Sequence, residues 1–427
     1  MKDPQKPKLT RNNIYTVYNV RILEEAKCII NSRNKKGSNN YLSIILVGLA
    51  ILFANIFIGF LKSILFRKSV HYDKDFKNIV IYTVGIVGDN VVLLPALAAI
   101  RQRYHEARIT VISNCQIWDE SGAKEVLGPS RFKDKLIIIK DYPIDRKGFK
   151  LVYNRHLFTD VKCDLFVNLS PFGNRGWIGA VIKEMLFAYK LGATHAVGFH
   201  VASYSRKNWF NSIKHYFVQN EPRRSRRVLK ELNLKPIENE DLFEQDETAK
   251  VSLIKKLQAQ GRQNEPLFVI NPGAKFLSKC WPAERFGYIA KHISESYGAL
   301  SVITGISSEK AISEDVAENA GVKVINFAGL TSIQEVVELL RMAKGCITND
   351  TGIMHIAAMI GLSTVAIFST RHSPTDWFPL GKNIISLFTL PECRFCYDDD
   401  CSDPICIKSI SVDDVIKNLA NVIDKNS

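Results

Sequence analysis

The stretch Gly345–Phe368 reads GCITNDTGIMHIAAMIGLSTVAIF. Two short runs rich in apolar and β-branched residues, Gly345–Thr348 and Thr364–Phe368, flank an apolar run of helical length, Met354–Ile360. Short apolar runs of this kind are typical of strands that are buried on both faces. A helix between two such strands indicates a parallel β-α-β unit, so we predict a parallel sheet in this part of the chain.

The same alternation of strand-like and helix-like runs extends through most of the chain. Further strands are predicted at 79–84, 107–113, 135–140, 164–169, 193–199, 267–271, 300–304 and 323–327. We therefore predict an α/β protein with two Rossmann-like, doubly wound domains, at 77–235 and 236–427. The strand-end loops of both domains are expected to face one cleft, because ligands of open parallel sheets bind at the carboxyl ends of the strands.

A hydrophobic segment precedes the first predicted domain. Tyr41–Leu61 has 21 residues and no charge, and about 20 apolar helical residues span a bilayer. We predict a transmembrane anchor helix at 41–66, preceded by a polar, basic tail at 1–40 with a helix near Tyr15–Ile30. A buried core helix, a cleaved signal peptide and a helix lying in the membrane interface are the alternatives.

The positive charge of the chain is concentrated around this segment. The net charge is +14, and residues 1–78 carry 14 Lys/Arg against 5 Asp/Glu, which is +9. Basic residues beside a hydrophobic segment favour contact with anionic lipid. No nucleic-acid-binding motif is present in the sequence, so we expect a membrane partner and no nucleic acid.

Two glycines and an aspartate follow the first predicted strand. Gly85 and Gly88 permit a tight turn, and Asp89 stands before a helix-like run with Asn90 next to it. Asp89 is either a general base that accepts a proton from a hydroxyl group or the N-cap of that helix. The residues alone favour the cap.

Two loops of the second half suit an anion. Gly273 lies in a Pro-Gly turn after a strand, and Lys279 stands before the next helix. Asp350, Thr351 and Gly352 would cap the apolar helix and direct its first N–H groups at a ligand, as at many phosphate sites. Solvated lysines in an ordinary loop are the alternative, and His355, one turn into the helix, is by itself more typical of a structural histidine.

Four cysteines lie close together near the C-terminus, at Cys393, Cys396, Cys401 and Cys406. Such a group could hold a structural zinc ion, form disulfides or remain reduced. The spacing leaves these three alternatives open.

Several of these loops together resemble glycosyltransferase family 9, the ADP-heptose:lipopolysaccharide heptosyltransferases. The matching stretches are GIVGDNVVLLPALAAIRQRY (85–104), NPGAKFLSKCWPAERFGYIAKHI (271–293), TGISSEK (304–310), FAGLTSIQEVVELLRMAKGCITNDTGIMHIAAMIGLSTVAIF (327–368) and SPTDWFPLG (373–381). The resemblance implies the GT-B fold and inverting sugar transfer that requires no metal cofactor. It also implies a nucleotide-sugar donor, with ADP-heptose first, and a lipid-linked glycan acceptor.

The resemblance assigns a role to each matching residue. Asp89 would be the catalytic base, in an acceptor-side loop with Gly85, Gly88 and Asn90. The donor would be bound by the residues of the second domain, with Lys279 on the phosphates and Glu309 on the ribose: Gly273, Lys279, Glu309, Asp350, Thr351, Gly352 and His355. Asn90 follows Asp89 where the family usually has an aliphatic residue, which indicates a different acceptor.

The function predicted from this resemblance is transfer of heptose to a lipopolysaccharide-core or other lipid-linked acceptor. Nucleotide sugars are cytosolic, so we expect a single-pass protein of the bacterial inner membrane with its catalytic domains on the cytoplasmic side. The alternatives are a transferase with another nucleotide-sugar donor, a sugar-nucleotide epimerase of the same architecture and a catalytically silent membrane scaffold.

Overall fold

The computed structural model describes residues 14–17, 41–66, 74–115, 122–140, 155–170, 178–200 and 221–424. The chain forms two compact units, one of Asn31–Glu244 and one of Met1–Ile30 with Gln245–Ser427. The segment 236–244 belongs to the first unit because it is bonded to it. Ile237 N donates to Pro95 O at 3.1 Å, and Glu244 pairs with Arg131 at 3.0 Å.

Strands and helices alternate along most of the described chain. The strands are β1 (Ile14–Val17), β2 (Asn78–Val84), β3 (Arg108–Asn114), β4 (Lys135–Ile139), β5 (Leu165–Asn168), β6 (His195–Val197), β7 (Leu267–Asn271), β8 (Leu300–Ile303), β9 (Val324–Asn326), β10 (Ala343–Asn349), β11 (Thr364–Ile367) and β12 (Ile384–Thr389). The α-helices are α1 (Tyr41–Leu65), α2 (Val87–Val91), α3 (Leu94–Arg103), α4 (Ile178–Lys190), α5 (Glu221–Lys230), α6 (Glu247–Ala259), α7 (Ala283–Tyr297), α8 (Lys310–Ala320), α9 (Ile333–Met342), α10 (Gly352–Ile360), α11 (Ile405–Lys408) and α12 (Val412–Asp424).

The first unit is built on a parallel sheet in the order β4-β3-β2-β5-β6. The central strand β2 is apolar and buried along nearly its whole length, as expected of a strand covered on both faces. Tyr82, Phe166 and Phe187 meet in the core on one side of this sheet, with ring centroids 5.7–6.1 Å apart. Because β2 and β3 run parallel, the loops that follow them lie at the same edge of the sheet.

The second unit is built on a larger sheet in the order β1-β12-β11-β10-β7-β8-β9. Its strands run parallel except for β1, which pairs antiparallel with β12 through Ile14↔Thr389 to Val17↔Ser386. The predicted α/β class and the predicted parallel strands are confirmed.

The predicted helix near Tyr15–Ile30 is wrong at its start, because Ile14–Val17 is a strand. Its β-branched residues suit pairing with β12, which would otherwise be an open sheet edge. The remainder of the predicted tail lies outside the described residues.

The hydrophobic segment forms α1, but its described part is packed on the first unit. Ile58 is 1% exposed within the core that also contains Met185 of α4, and Phe66 stacks on Phe199 with centroids 6.2 Å apart. Lys62 Nζ pairs with Glu231 at 2.7 Å. Among the described residues, no helix combines the length and apolar character that crossing a membrane requires. The predicted transmembrane anchor is thus not supported.

Candidate functional site

The polar loop after β10 leads directly into α10. Thr351 is the N-cap of this helix, within the predicted capping residues, and the helix begins at Gly352, two residues before the predicted Met354. Asp350 lies between the strand and the helix and is buried. The first N–H groups of α10 lack intrahelical partners, so this helix end attracts negative charge.

Lys279 and Asp350 form a buried ion pair at this helix end. Lys279 is the last residue of a 3₁₀ turn, Leu277–Lys279, and its Nζ lies 2.6 Å from Asp350 Oδ2. Burial alone would raise the pKa of Asp350, but the charge of Lys279 holds it below its usual value. The ion pair is therefore mostly shielded from water, and it lies at a helix end where Lys279 can contact an anion.

Asparagine side chains hold the three strand ends together. Asn271 Oδ1 accepts from Thr351 Oγ1 at 3.0 Å, and its Nδ2 donates to Thr304 O at 2.9 Å. Asn349 Nδ2 donates to Pro272 O at 2.7 Å, and its Oδ1 accepts from Trp281 N at 3.2 Å. These bonds fix the loops that carry Gly273, Lys279 and Asp350. Sequence reasoning missed both asparagines, although each stands at the end of a predicted strand.

Glu309 lies against the Gly273 turn. Its Oε2 accepts from Ile306 N at 2.9 Å, and a Cβ atom built on Gly273 would overlap its carboxylate. Burial raises the pKa of Glu309. Glu309 can reach this turn because Gly273 has no side chain. The family resemblance implies that Glu309 binds the ribose of the nucleotide.

Two histidines flank Asp350. His355 is buried in α10 with its ring 5.9 Å from that of Trp377, and His372 Nε2 lies 3.9 Å from Asp350 Oδ2. Burial lowers the pKa of both histidines to about 4, against the opposing charge of Asp350. Both rings are therefore neutral at pH 7. His372 was not among the predicted site residues, because no strand-end or helix-cap pattern distinguishes it.

We expect these histidines to make the protein acid-sensitive. Each has a pKa near 6.5 when unfolded and about 4 when folded, so the stability they support is complete above pH 6.5 and is lost as pH falls toward 4. At pH 5 the loss is about 2 kcal/mol for each histidine. Replacing His372 with asparagine should flatten the dependence of the unfolding free energy on pH between 6.5 and 4.5. An unchanged slope would contradict this assignment.

The loop that contains the four cysteines (393–406, the cysteine loop) packs beside the loop that contains Lys279. Ser278 Oγ donates to Asp399 O at 3.0 Å, and Arg371 pairs with Asp399 while its guanidinium carbon lies 4.7 Å from the Phe276 ring centroid. Arg371 is buried at this junction and, like His372, escaped sequence reasoning. The cysteine loop thus supports the loop that presents Lys279.

Of the three alternatives for the four cysteines, the structural zinc site is not supported. Cys393 and Cys396 are exposed, whereas Cys406 is buried on α11 and lies 3.4 Å from Ser369 Oγ. Across the described ranges, which include Cys401, no three or more His, Cys, Asp or Glu side chains are placed to hold a metal ion. The four thiols thus differ in exposure, from exposed Cys393 and Cys396 through half-buried Cys401 to buried Cys406.

Asp89 lies in the first unit, on the short helix α2. The N-cap residue of this helix is Ile86, so the alternative that made Asp89 the N-cap is wrong in its position. Asp89 is the third helical residue, and its Oδ2 accepts from Ile86 N at 2.8 Å, which still caps the start of the helix. Gly85 has a φ of 140°, and a Cβ there would overlap the Asp89 side chain. Asn90 is buried, and its Nδ2 donates to Ile86 O at 3.0 Å. The cap holds the carboxylate in a defined position after β2, which suits a general base as well.

Comparison with known sequences decides the family. The profile of "Glycosyltransferase family 9 (heptosyltransferase)" matches residues 182–404, more than half of the chain. The chain belongs to glycosyltransferase family 9. This family 9 glycosyltransferase is 27% identical over 309 residues to lipooligosaccharide heptosyltransferase 2 of Campylobacter jejuni, which covers 69% of this chain and 91% of that protein. It is 28% identical over 131 residues to lipopolysaccharide heptosyltransferase 2 of Escherichia coli, covering 29% and 37%.

Solved structures share the fold. A family 9 glycosyltransferase of Veillonella parvula aligns over 83% of this chain and 99% of its own, with a TM-score of 0.62 and 20% identity. The ADP-heptose heptosyltransferase II of E. coli aligns over 82% and 99%, with a TM-score of 0.55 and 16% identity. The family 9 glycosyltransferase therefore keeps the architecture of its family at low sequence identity.

Proposed function

We propose that this glycosyltransferase is an inverting heptosyltransferase that uses ADP-heptose and a lipid-linked acceptor of the lipopolysaccharide core. The buried Lys279–Asp350 pair at the start of α10 carries the proposal. A lysine and a helix N-terminus converge there, and both stabilise a nucleoside diphosphate as it leaves. The similarity to heptosyltransferases in sequence and to the ADP-heptose heptosyltransferase II of E. coli in fold supports ADP-heptose as the donor.

The proposed reaction is a single displacement. Asp89 accepts the proton of an acceptor hydroxyl as its oxygen attacks the anomeric carbon. The bond from that carbon to the diphosphate oxygen breaks on the opposite face, and ADP leaves with the electron pair. Lys279 and the first N–H groups of α10 neutralise the new charge on ADP, and no metal cofactor takes part in the proposed reaction. Inversion at the anomeric carbon follows from the single step.

A transfer assay tests the proposal. The full chain is incubated with ADP-heptose and heptose-deficient lipopolysaccharide, and products are identified by mass spectrometry and by the anomeric coupling constant in NMR. We expect one heptose added per acceptor, equimolar ADP and an inverted linkage. Transfer only from UDP- or GDP-sugars would discard the donor assignment, and release of a free epimerised sugar nucleotide without acceptor would indicate an epimerase.

Gly273→Ala is expected to weaken ADP binding at least tenfold with little loss of stability. The three atoms nearest the new methyl group would all belong to the carboxylate of the flexible Glu309 side chain, which can move. Moving it takes the carboxylate from the position proposed for the nucleotide contact. Calorimetric titration with ADP measures the effect. Gly179→Ala is the control for backbone stiffening, since Gly179, like Gly273, has no positive φ and its Cβ would have no neighbour within 4 Å. Unchanged ADP affinity in the Gly273 variant would exclude Glu309 as a nucleotide contact.

We also propose that the enzyme works at the cytoplasmic face of a bacterial inner membrane. The support is chemical: sugar nucleotides are cytosolic, the proposed acceptor is lipid-linked and the basic residues cluster around the hydrophobic segment. Fractionation of cells that express the full chain tests the location. Recovery in a fraction other than the inner membrane would contradict it.

A further inference from the structure

The described part of α1 has two faces that are both apolar. One face packs on the first unit through Ile58 and, next to it, Ala54, Leu61 and Leu65. The other face carries large apolar side chains that are 46–66% exposed: Leu52, Phe53, Ile56, Phe57, Phe60 and Ile64. At 100° per residue the exposed positions fall within about 140° of one another, and the packed positions lie opposite.

Packing against the first unit fixes the orientation of the exposed face. Phe66 stacks on Phe199, and Lys62 is bonded to Glu231, directly after α5. A helix held along one side by protein cannot be surrounded by lipid. It can lie along a membrane surface and place its other side among acyl chains, in the way of an interfacial helix. Contiguous exposed apolar surface of this kind marks an interaction site.

The charges around α1 select the occupant. The sequence 41–72 contains Lys62, Arg67 and Lys68 and no Asp or Glu, and of these three Lys62 is paired with Glu231 while Arg67 and Lys68 lie outside the described residues. The neighbouring helices end in the exposed residues Lys190 and Lys230. A second copy of the same face would bring like charges together, whereas anionic headgroups would be attracted to them. An apolar face in a basic part of the chain, with exposed lysines at the ends of the neighbouring helices, is therefore complementary to an anionic lipid surface.

We propose that the exposed face of α1, defined by Leu52, Phe53, Ile56, Phe57, Phe60 and Ile64, seats in an anionic lipid leaflet with the helix lying along the interface. The first unit then rests on the membrane through α1. The inference rests on the proposed function in that a lipid-linked acceptor gives the enzyme a reason to dock there. It names the surface and the lipid charge that the proposed function leaves open.

Vesicle co-sedimentation of the full chain tests the proposal. Vesicles of phosphatidylethanolamine with 30% phosphatidylglycerol are compared with vesicles of phosphatidylcholine alone. We expect binding to the anionic vesicles that is at least tenfold tighter than to the neutral ones. The variant F53S/F57S/F60S should need at least ten times more anionic lipid for half-maximal binding. Equal binding to both kinds of vesicle by the unchanged chain would overturn the assignment of an anionic surface.

A matched variant separates the α1 face from exposed apolar residues in general. Val251, Tyr288 and Leu330 are 48–60% exposed on the second unit, and V251S/Y288S/L330S should bind vesicles within twofold of the unchanged chain. Equal binding by both triple variants would overturn the proposal. So would a dimer, measured by light scattering, that the Phe variant dissociates without any change in lipid binding.

Separate measurements report the folding of the Phe variant and the sugar-transfer activity of the enzyme. The melting temperature of the Phe variant and its stabilisation by ADP report whether the two units are intact. The vesicle assay contains neither donor nor acceptor, so its result does not depend on heptose transfer. Lipid binding without transfer would reject the proposed function alone, and transfer to a soluble acceptor fragment without lipid binding would reject the docking surface alone.

Discussion

Replacing Asp89 with asparagine is expected to lower kcat for sugar transfer by about 10²–10⁴-fold while ADP binding is unchanged. Asparagine keeps the shape of the side chain, and its oxygen can still accept from Ile86 N, so the cap of α2 is retained. What is lost is the ability to take a proton. Rapid-quench measurement of transfer with saturating donor and acceptor gives kcat directly.

The two readings of Asp89 predict different results for this variant. If Asp89 is only a cap, Asp89→Asn keeps full activity, and that outcome would remove it from the mechanism. Asp246 is the matched control, because it caps α6 by accepting from Ala249 N at 2.9 Å and contacts no predicted site residue in the described chain. Asp246→Asn should leave kcat unchanged. Asp89→Ala should cost about 1 kcal/mol of stability in addition to activity.

Replacing Lys279 with methionine is expected to destabilise the protein by roughly 3–5 kcal/mol at pH 7 and to abolish measurable donor binding. The Asp350 carboxylate is buried and would lose its principal counter-charge. Thermal and urea unfolding measure the first effect, and titration with ADP measures the second.

The stability lost in Lys279→Met is expected to depend on pH. In the unchanged chain the folded pKa of Asp350 lies below its unfolded value, so its ion pair stabilises the fold above that value and the benefit is lost as pH falls through the folded pKa. Without Lys279, burial raises the pKa of Asp350. The deficit of Lys279→Met relative to the unchanged chain should therefore shrink as the pH is lowered toward 4. A deficit that does not change with pH would exclude Asp350 as its cause.

Two controls isolate the pair. Asp350→Asn combined with Lys279→Met should be more stable than Lys279→Met alone, because no uncompensated charge is left buried. The ion pair of Lys250 with Glu247 spans 3.2 Å with side chains that are 43% and 72% exposed. Lys250→Met should cost less than about 1 kcal/mol, as for other exposed pairs.

Most of the fold could be predicted because its strands are local, apolar and buried on both faces. β2, β7, β10 and β11 lie where short apolar and β-branched runs predicted them. β1 was missed because four residues in a basic segment form a strand only when β12 offers its edge. The periodicity of a short segment does not report a partner that lies more than 360 residues away.

Part of the candidate site could likewise be predicted from sequence and part could not. The loops with Asp89, Gly273, Lys279 and Asp350 could be found because a strand end followed by glycine, proline or a helix cap is visible in sequence. Arg371 and His372 could not, since only the folded chain places them beside Asp350 and Asp399. The spacing of the four cysteines left a metal site, disulfides and reduced thiols open, and in the described residues no three or more potential ligands are placed to hold a metal ion.

The sequence by itself determined the α/β class, the family and the loops in which the proposed site residues lie, because those depend on local patterns of burial and turn formation. Only the tertiary structure decided which charges are paired and which side of α1 is free. An apolar run has the same hydropathy whether lipid or protein covers it. The packing of Ile58 on the first unit and the exposure of Phe53 and Phe60 distinguish the two faces, because burial is a property of neighbours and not of the residue.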